Sequence, residues 1–306
     1  MCRVTISAFQ MIQNFPDEDV ARTYLELRRW NGSPTCPKCG AQSRQYRVKR
    51  DGTEGYFECG SCRFVYTVRT GSIFERSHVS LHKWLFAIYQ VVTARKGISS
   101  LQLSKEIGVT QRTAWFMLQR IRKACEGDNE GNGFLFGIVE ADEVYVGGKD
   151  KNRHESRKRG HKDDKTIVLG MRESGGNVKA QVVPNTGSLI KEHVADAVCT
   201  GSTVCTDELR SYQGMAGYRH KTVTHSAKGF VNGMAHSNGI ESVWALLKLA
   251  FYDIYYYFSA KHTQLYLNEV CFRLNFGNVR AHTLERINSM LEICIGKRLS
   301  WVDLTA

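Results

Sequence analysis

The chain has 306 residues, 42% of them hydrophobic and 24% charged, with 42 Lys/Arg against 30 Asp/Glu for a formal net charge of +12. This is the composition of a globular chain with room for one sizeable core and smaller modules, and no apolar run approaches the roughly 18 residues of a membrane span. The charge is uneven: residues 1–126 hold 20 Lys/Arg against 10 Asp/Glu and residues 127–306 hold 22 against 20, so the front carries most of the positive field and a polyanion is its natural partner.

The opening residues lack the basic, apolar and small-residue succession of a secretory signal. No strongly basic amphipathic helix of the interfacial kind is present, so a membrane partner is not expected. A reducing, cytoplasmic setting fits the spacing of the cysteines. Residues 1–32 form an N-terminal helical segment: "FQMIQNFPDEDVARTYLELRRW" predicts a helix beginning near Pro16-Asp17, with Tyr24, Leu25, Leu27 and Trp30 as its apolar contacts.

Residues 33–72 predict a zinc ribbon. "CPKCG" at 36–40 and "CGSC" at 59–62 give the spacing C-x2-C-x19-C-x2-C. Each pair can place two thiolates on one tetrahedral ion, and two pairs complete its shell. Cys36, Cys39, Cys59 and Cys62 are therefore the expected ligands of one structural zinc, with no open position for catalysis. The alternative, a redox dithiol or two local disulfides, lacks a thioredoxin-like βαβ context here. Cys2, Cys125, Cys199, Cys205, Cys271 and Cys294 show no ligand spacing and read mostly as small buried hydrophobes. Arg44, Arg47, Lys49, Arg50, Arg63 and Arg69 decorate the ribbon; singly they are ordinary solvated charges, and together they favour phosphate.

Residues 73–126 predict a helix-turn-helix region, carried by "SSLQLSKEIGVTQRTAWFMLQRIRKAC". Leu101, Leu103 and Ile107 give the first helix its apolar positions, Gly108 fits the turn, and Thr110 can cap a second helix striped by Ala114, Leu118 and Ile121. In a DNA-binding version of this pair the first turn of the second helix faces base edges. Gln111, Arg112 and Thr113 are then the readers, and Arg120, Arg122 and Lys123 lie nearer phosphates. A plain helical hairpin packed in a core has the same pattern.

Residues 127–306 read as a strand-rich α/β domain. Strands are expected at 134–146, 166–172, 178–183, 203–207 and 220–225, with helices at 188–199, near 209–215 and from about 238. A three-strand meander followed by alternating helix and strand fits an RNase H-like mixed sheet, one of several topologies open to that string. The first strand, "FLFGIVEADEVYVGGK", carries Glu140, Asp142 and Glu143 among strand formers. Ionised carboxylates are costly to bury unless something pairs with them or coordinates them; a strand with one wet face is the plainer alternative. Asp207 closes "STVCTD", and Glu241 is the lone acid between Glu208 and Asp253. Lys248 follows Glu241 by seven residues, about two helical turns, so both can face one site. Three carboxylates converging from separate elements would hold two divalent cations about 3.5–4 Å apart. Glu140 shares a strand face with Asp142 by the period of two, whereas Glu143 points the other way and is expected to meet a basic group. His236 and Asn238 precede Glu241 closely enough to line the same site, and Asn238 can equally cap the helix.

"FPDEDVARTYLELRRWNGSPTCPKCG", "VEADEVYVGGK", "TDELRSYQGM" and "HSNGIESVWALLK" together resemble the zinc-ribbon DDE transposases of prokaryotic insertion sequences, the ISXO-like group. The resemblance covers nearly the whole chain, with the motifs in the family's order. It implies an RNase H-like core that cuts and rejoins DNA with divalent metal, magnesium or manganese, as two ions. The family's acids map to Asp142, Asp207 and Glu241, and its lysine to Lys248. The partners implied are the terminal inverted repeats and target DNA, bound by a homo-oligomer, most simply a dimer, in a prokaryotic cytoplasm at the nucleoid. The basic loop "KDKNRHESRKRGHKDDK" fits contact with a DNA end, or a solvated loop. The competing classes are a non-catalytic zinc-ribbon and helix-turn-helix DNA-binding regulator and an RNase H-like nuclease that cleaves without joining.

Overall fold

The computed structural model describes residues 5–50, 52–126, 133–147, 165–184, 189–207, 212, 214–222, 238–275 and 281–305. They divide into two compact units, residues 1–125 with 276–306, and residues 126–275.

The first unit opens with two capped helices. In α1 (Ala8–Asn14) Ser7 and Gln10 form a reciprocal capping box. In α2 (Glu18–Trp30) the Asp17 carboxylate accepts from the Val20 N–H, acids occupy the first turn, and Arg28 and Arg29 the last, the arrangement the helix dipole favours. Three antiparallel strands follow: β1 (Gln45–Arg50), β2 (Thr53–Cys59) and β3 (Val65–Thr67). This sheet is too small for a core of its own. Trp30 of α2 packs edge-on to Phe57 and Tyr66, with ring centroids 5.1 and 5.7 Å away.

Helices α3 (Leu81–Thr93), α4 (Ser100–Ile107) and α5 (Gln111–Ala124) come next. Between α4 and α5, Gly108 takes φ 63°, where a side chain would be strained. Thr110 caps α5 by accepting from the Thr113 N–H. The expected turn chemistry and the Ala114, Leu118, Ile121 stripe are present, and all three stripe residues are buried.

The second unit is built on a five-stranded sheet. Its strands are β4 (Ile138–Val146), β5 (Thr166–Glu173), β6 (Val178–Val183), β7 (Thr203–Thr206) and β8 (Arg219–Thr222), in the order β6-β5-β4-β7-β8. The β4–β5 and β5–β6 pairs are antiparallel, and β7 and β8 add in parallel. This is the RNase H-like mixed sheet. The expected first strand starts four residues late, because Leu135 makes only an isolated bridge to Val198. The expected helix near 209–215 and the strand end at 223–225 lie largely outside the described residues.

Among the described residues, three helices sandwich that sheet. On one face α6 (Leu189–Ala197) lays Ile190 and Val194 on Val139, Ala141, Leu169 and Met171. On the other, α7 (Asn238–Leu249) and α8 (Thr263–Asn275) pack Ile240, Trp244, Leu247 and Val270 on Val144, Val168 and Ala180. A π-helical turn, Ala250–Tyr255, continues α7. The sheet edge at β6 is closed by side chains of α8. Gln264 accepts from the Val182 N–H at 2.8 Å and donates to the Ala180 carbonyl at 3.2 Å. Asn275 accepts from the Val178 N–H at 2.7 Å and donates to its carbonyl at 3.0 Å. Four groups that would template another strand are thereby occupied.

The chain then returns to the first unit. The sequence carried the catalytic domain to residue 306, but α9 (Thr283–Ile293) and α10 (Trp301–Thr305) belong with residues 1–125. The reason is apolar and polar together. Ile287, Met290 and Leu291 are buried there, Arg286 donates to the Val92 carbonyl at 2.9 Å, and Lys297 donates to the Ala124 carbonyl at 2.8 Å. No helix among the described residues is long and apolar enough to cross a membrane.

Candidate active site

The four cysteines of the ribbon meet. Cys36 and Cys39 lie in a turn closed by the Gly40 N–H donating to the Cys36 carbonyl, and Cys59 ends β2 in a matching turn closed by the Arg63 N–H. Cys36 Sγ lies 3.7 Å from Cys62 Sγ, and Cys39 Sγ 3.6 Å from Cys59 Sγ. Four thiolates at about 2.3 Å from a zinc ion stand about 3.8 Å apart, whereas a disulfide needs about 2.05 Å. The geometry fits a structural zinc and excludes disulfides. Gln45 Nε2, 3.7 Å from Cys59 Sγ, adds a donor behind the ligands. Cys125, Cys205, Cys271 and Cys294 are buried thiols outside any disulfide.

The three acids of β4 have three different partners. Glu140, 1% exposed, accepts from the Ile240 N–H at 2.7 Å at the start of α7. Asp142 accepts from Trp244 Nε1 at 2.8 Å. Glu143 Oε1 accepts from the Tyr212 hydroxyl at 2.5 Å. The expectation that Glu143 pairs with a basic group is overturned: its face of the strand meets a buried phenol within the α6-side core.

Asp142, Glu143 and Asp207 each bring a ligand atom within 4.8 Å of the others. The register explains the meeting. Glu140 pairs with Cys205 in the parallel β4–β7 ladder, and Asp142 and Asp207 each follow two residues later. Burial first, and charge crowding after it, act on Asp142 and Glu143. Burial pushes Asp142 upward, opposed by the Trp244 N–H and reinforced by Asp207 and Glu241. Burial likewise pushes Glu143 up to about 7, with Asp207 and Asp142 adding repulsion against the pull of Tyr212. The Tyr212 phenol is pushed upward by burial and then by the Glu143 charge, so it is held as a donor. Glu143 Oε2 is buried without a hydrogen-bond partner among the described residues. Clustered hard oxygens with one orphan fit a divalent cation.

Glu241 stands outside that group. It is exposed on the first turn of α7, near enough for its charge to act on Asp142. Lys248 is exposed two turns further along. His236, Glu208 and the basic loop 149–164 lie outside the described residues. Sequence reasoning missed Tyr212 and the donor role of Trp244. The only available signal was a polar tip on a large aromatic within an apolar pattern.

Among the expected DNA contacts, Gln111 and Arg112 are exposed at the start of α5 and Thr113 is half-buried. Gln111 donates to Ser100 Oγ at 3.0 Å, and the Arg112 guanidinium stacks 4.3 Å from the Trp301 ring. Lys123 is half-buried. Arg120 is a correction. It is buried and donates to the carbonyls of Ile73, Glu75 and Leu299 at 2.8, 3.0 and 3.1 Å. Arg122 is likewise buried at 1% exposure. Helical periodicity turns both inward, and there Arg120 supplies donors to carbonyls outside its own helix. On the ribbon, Arg47, Lys49, Arg63 and Arg69 pair with Glu26, Glu54, Glu58 and Glu18.

Two family models and a relative from a transposable element match this chain. The ISXO2-like transposase domain family matches residues 134–275, and the transposase zinc-ribbon domain family matches residues 16–64. A protein in transposable element ISH50 of Halobacterium salinarum is 32% identical over 251 residues, covering 76% of this chain and 82% of that protein. A chain of the crystal structure of a pre-cleavage Mos1 transpososome is similar over 66% of this chain and 75% of its own length, at 11% identity and a TM-score of 0.28. The chain belongs to the ISXO2-like family, the zinc-ribbon transposases of insertion sequences.

Proposed function

We propose that this transposase binds the terminal inverted repeats of its element and catalyses divalent-metal-dependent strand cleavage followed by strand transfer. The observation that carries the reading is the meeting of Asp142 and Asp207, from neighbouring parallel strands, at ligand distance. A pair of magnesium or manganese ions, when bound, supplies Lewis acidity to the attacking and leaving oxygens. Asp142 and Asp207 hold the ions, and Glu241 approaches from α7. Trp244 fixes one oxygen of Asp142, leaving the other for a ligand. Lys248 contacts DNA phosphate near the scissile bond. Water is the first nucleophile, and the freed 3′-hydroxyl of the element end then attacks target DNA, with no covalent protein–DNA intermediate.

The zinc ribbon and the α4–α5 pair bind the ends. Gln111, Arg112 and Thr113 face base edges, and Lys123 faces phosphate. Two ends must be held together for joining, so the acting form is a homodimer on DNA, at the nucleoid in the cytoplasm. The test is an end-bearing duplex incubated with the protein, magnesium and a plasmid target. Joined product supports this function. Cleavage alone makes the protein a nuclease, and binding with neither makes it a regulator. Asp142→Ala and Asp207→Ala each abolish chemistry while leaving end binding largely intact; activity surviving either change overturns the ligand assignment.

A further inference from the structure

Resting on that reading of the active site, we propose that Glu143 is a further ligand of the divalent cation, and that the Tyr212 phenol is the residue that positions it. Asp142 and Glu143 are consecutive, so their side chains leave opposite faces of β4. Both nevertheless reach Asp207 at ligand distance. They do so because the β4–β7 ladder stops at Glu140–Cys205, leaving this stretch of β4 facing the chain end that carries Asp207.

The two oxygens of Glu143 are treated differently. Oε1 is held by the Tyr212 hydroxyl at 2.5 Å. Oε2 is buried with no hydrogen-bond partner among the described residues. A buried carboxylate oxygen left without a donor is costly, and a cation relieves it while also offsetting the neighbouring charges of Asp142 and Asp207. Tyr212 itself is fully buried, locked between the sheet and α6 in the cluster that includes Ile190 and Val194. Its hydroxyl therefore has a fixed position, and on this proposal the carboxylate it holds turns its free oxygen to the cation shared with Asp142 and Asp207. This is the way an outer hydrogen bond orients a metal ligand.

The test is Mn2+ binding to the full chain by titration calorimetry, with melting temperatures measured in the absence of metal. Glu143→Gln and Glu143→Asp are expected to weaken Mn2+ binding about 10- to 100-fold, and Tyr212→Phe about 10-fold. Glu143→Gln should melt at or above the wild-type temperature without metal, because it removes a crowded charge; a merely structural glutamate would melt lower. Asp142→Asn and Asp207→Asn report on the underlying site. If they lose binding while the Glu143 and Tyr212 variants bind as wild type, this inference is overturned and the active site stands. If all of these variants bind as wild type, the active-site reading itself fails. Loss in the Glu143 variants with wild-type binding by Tyr212→Phe keeps the ligand and overturns the positioning role.

Discussion

Glu140 accepts the backbone N–H of Ile240 at 2.7 Å, joining a central strand to the first turn of a helix 100 residues later. The acid sits where the helix dipole is positive and an unpaired N–H needs an acceptor. It is thereby an anchor for α7, the helix that carries Trp244, Glu241 and Lys248.

Glu140→Ala leaves that buried N–H unmet and should lower the unfolding free energy by about 1–3 kcal/mol. Glu140→Gln keeps an acceptor and should lose less. Chemical denaturation of the full chain measures both. A Glu140→Ala protein as stable as wild type, but with weakened Mn2+ binding, would make Glu140 a ligand instead.

Gly170 lies under the Trp244 ring, where an added methyl would stand 2.5 Å from Cζ2 and 3.0 Å from Ile240 Cδ1. Gly→Ala within a strand ordinarily stabilises by roughly 0.5–1 kcal/mol. Here overpacking should reverse the sign, with a loss of about 1–3 kcal/mol. The same change tilts the indole from Asp142, so tryptophan fluorescence should shift and Mn2+ affinity should fall with stability.

Removing zinc with a strong chelator should unfold the ribbon, since β1–β3 have little apolar surface without Trp30 and the metal. Metal analysis of purified protein should find one zinc per chain, and Cys59→Ser should lower it. Backbone amide exchange in β2 reports the unfolding; continued protection in fully zinc-free protein would sink the structural role.

Arg120 and Arg112 should separate cleanly. Arg120→Ala strips three carbonyls of a donor, two of them in buried hydrogen bonds, and should cost on the order of 3 kcal/mol of stability. Arg112→Ala gives up only the stacking on Trp301, about 0.5–1 kcal/mol at an exposed site. If Arg112 reads a base, its loss should weaken end binding by about 1–3 kcal/mol and relax sequence preference. Equal stability losses for the two variants would contradict the structural assignment.

Replacing both Gln264 and Asn275 by Leu exposes the four β6 backbone groups they now occupy. Concentration-dependent self-association, followed by light scattering, is the expected outcome. A double variant that stays as monodisperse as wild type would show that α8 covers the edge by bulk alone.

Local chemistry was enough to read several parts of this protein from its sequence. Two C-x2-C pairs declare a tetrahedral site because thiolate spacing is a near-neighbour property. Thr110 and Gly108 declare a helix start and a turn for the same reason. The family motifs named Asp142 and Asp207 by position. What no local pattern encodes is which partner a side chain meets across the fold. Arg120 belongs to a basic helix in sequence, yet helix packing turns it onto carbonyls from residues 73, 75 and 299. Glu140, Asp142 and Glu143 are near neighbours of one charge type, and the β4–β7 register together with the packing of α7 and Tyr212 gives them different roles. Residues 276–306 continue the chain after the catalytic sheet but fold with its beginning, because their apolar face fits α3. Periodicity sets which side of an element is buried; only the assembled layers decide what it is buried against.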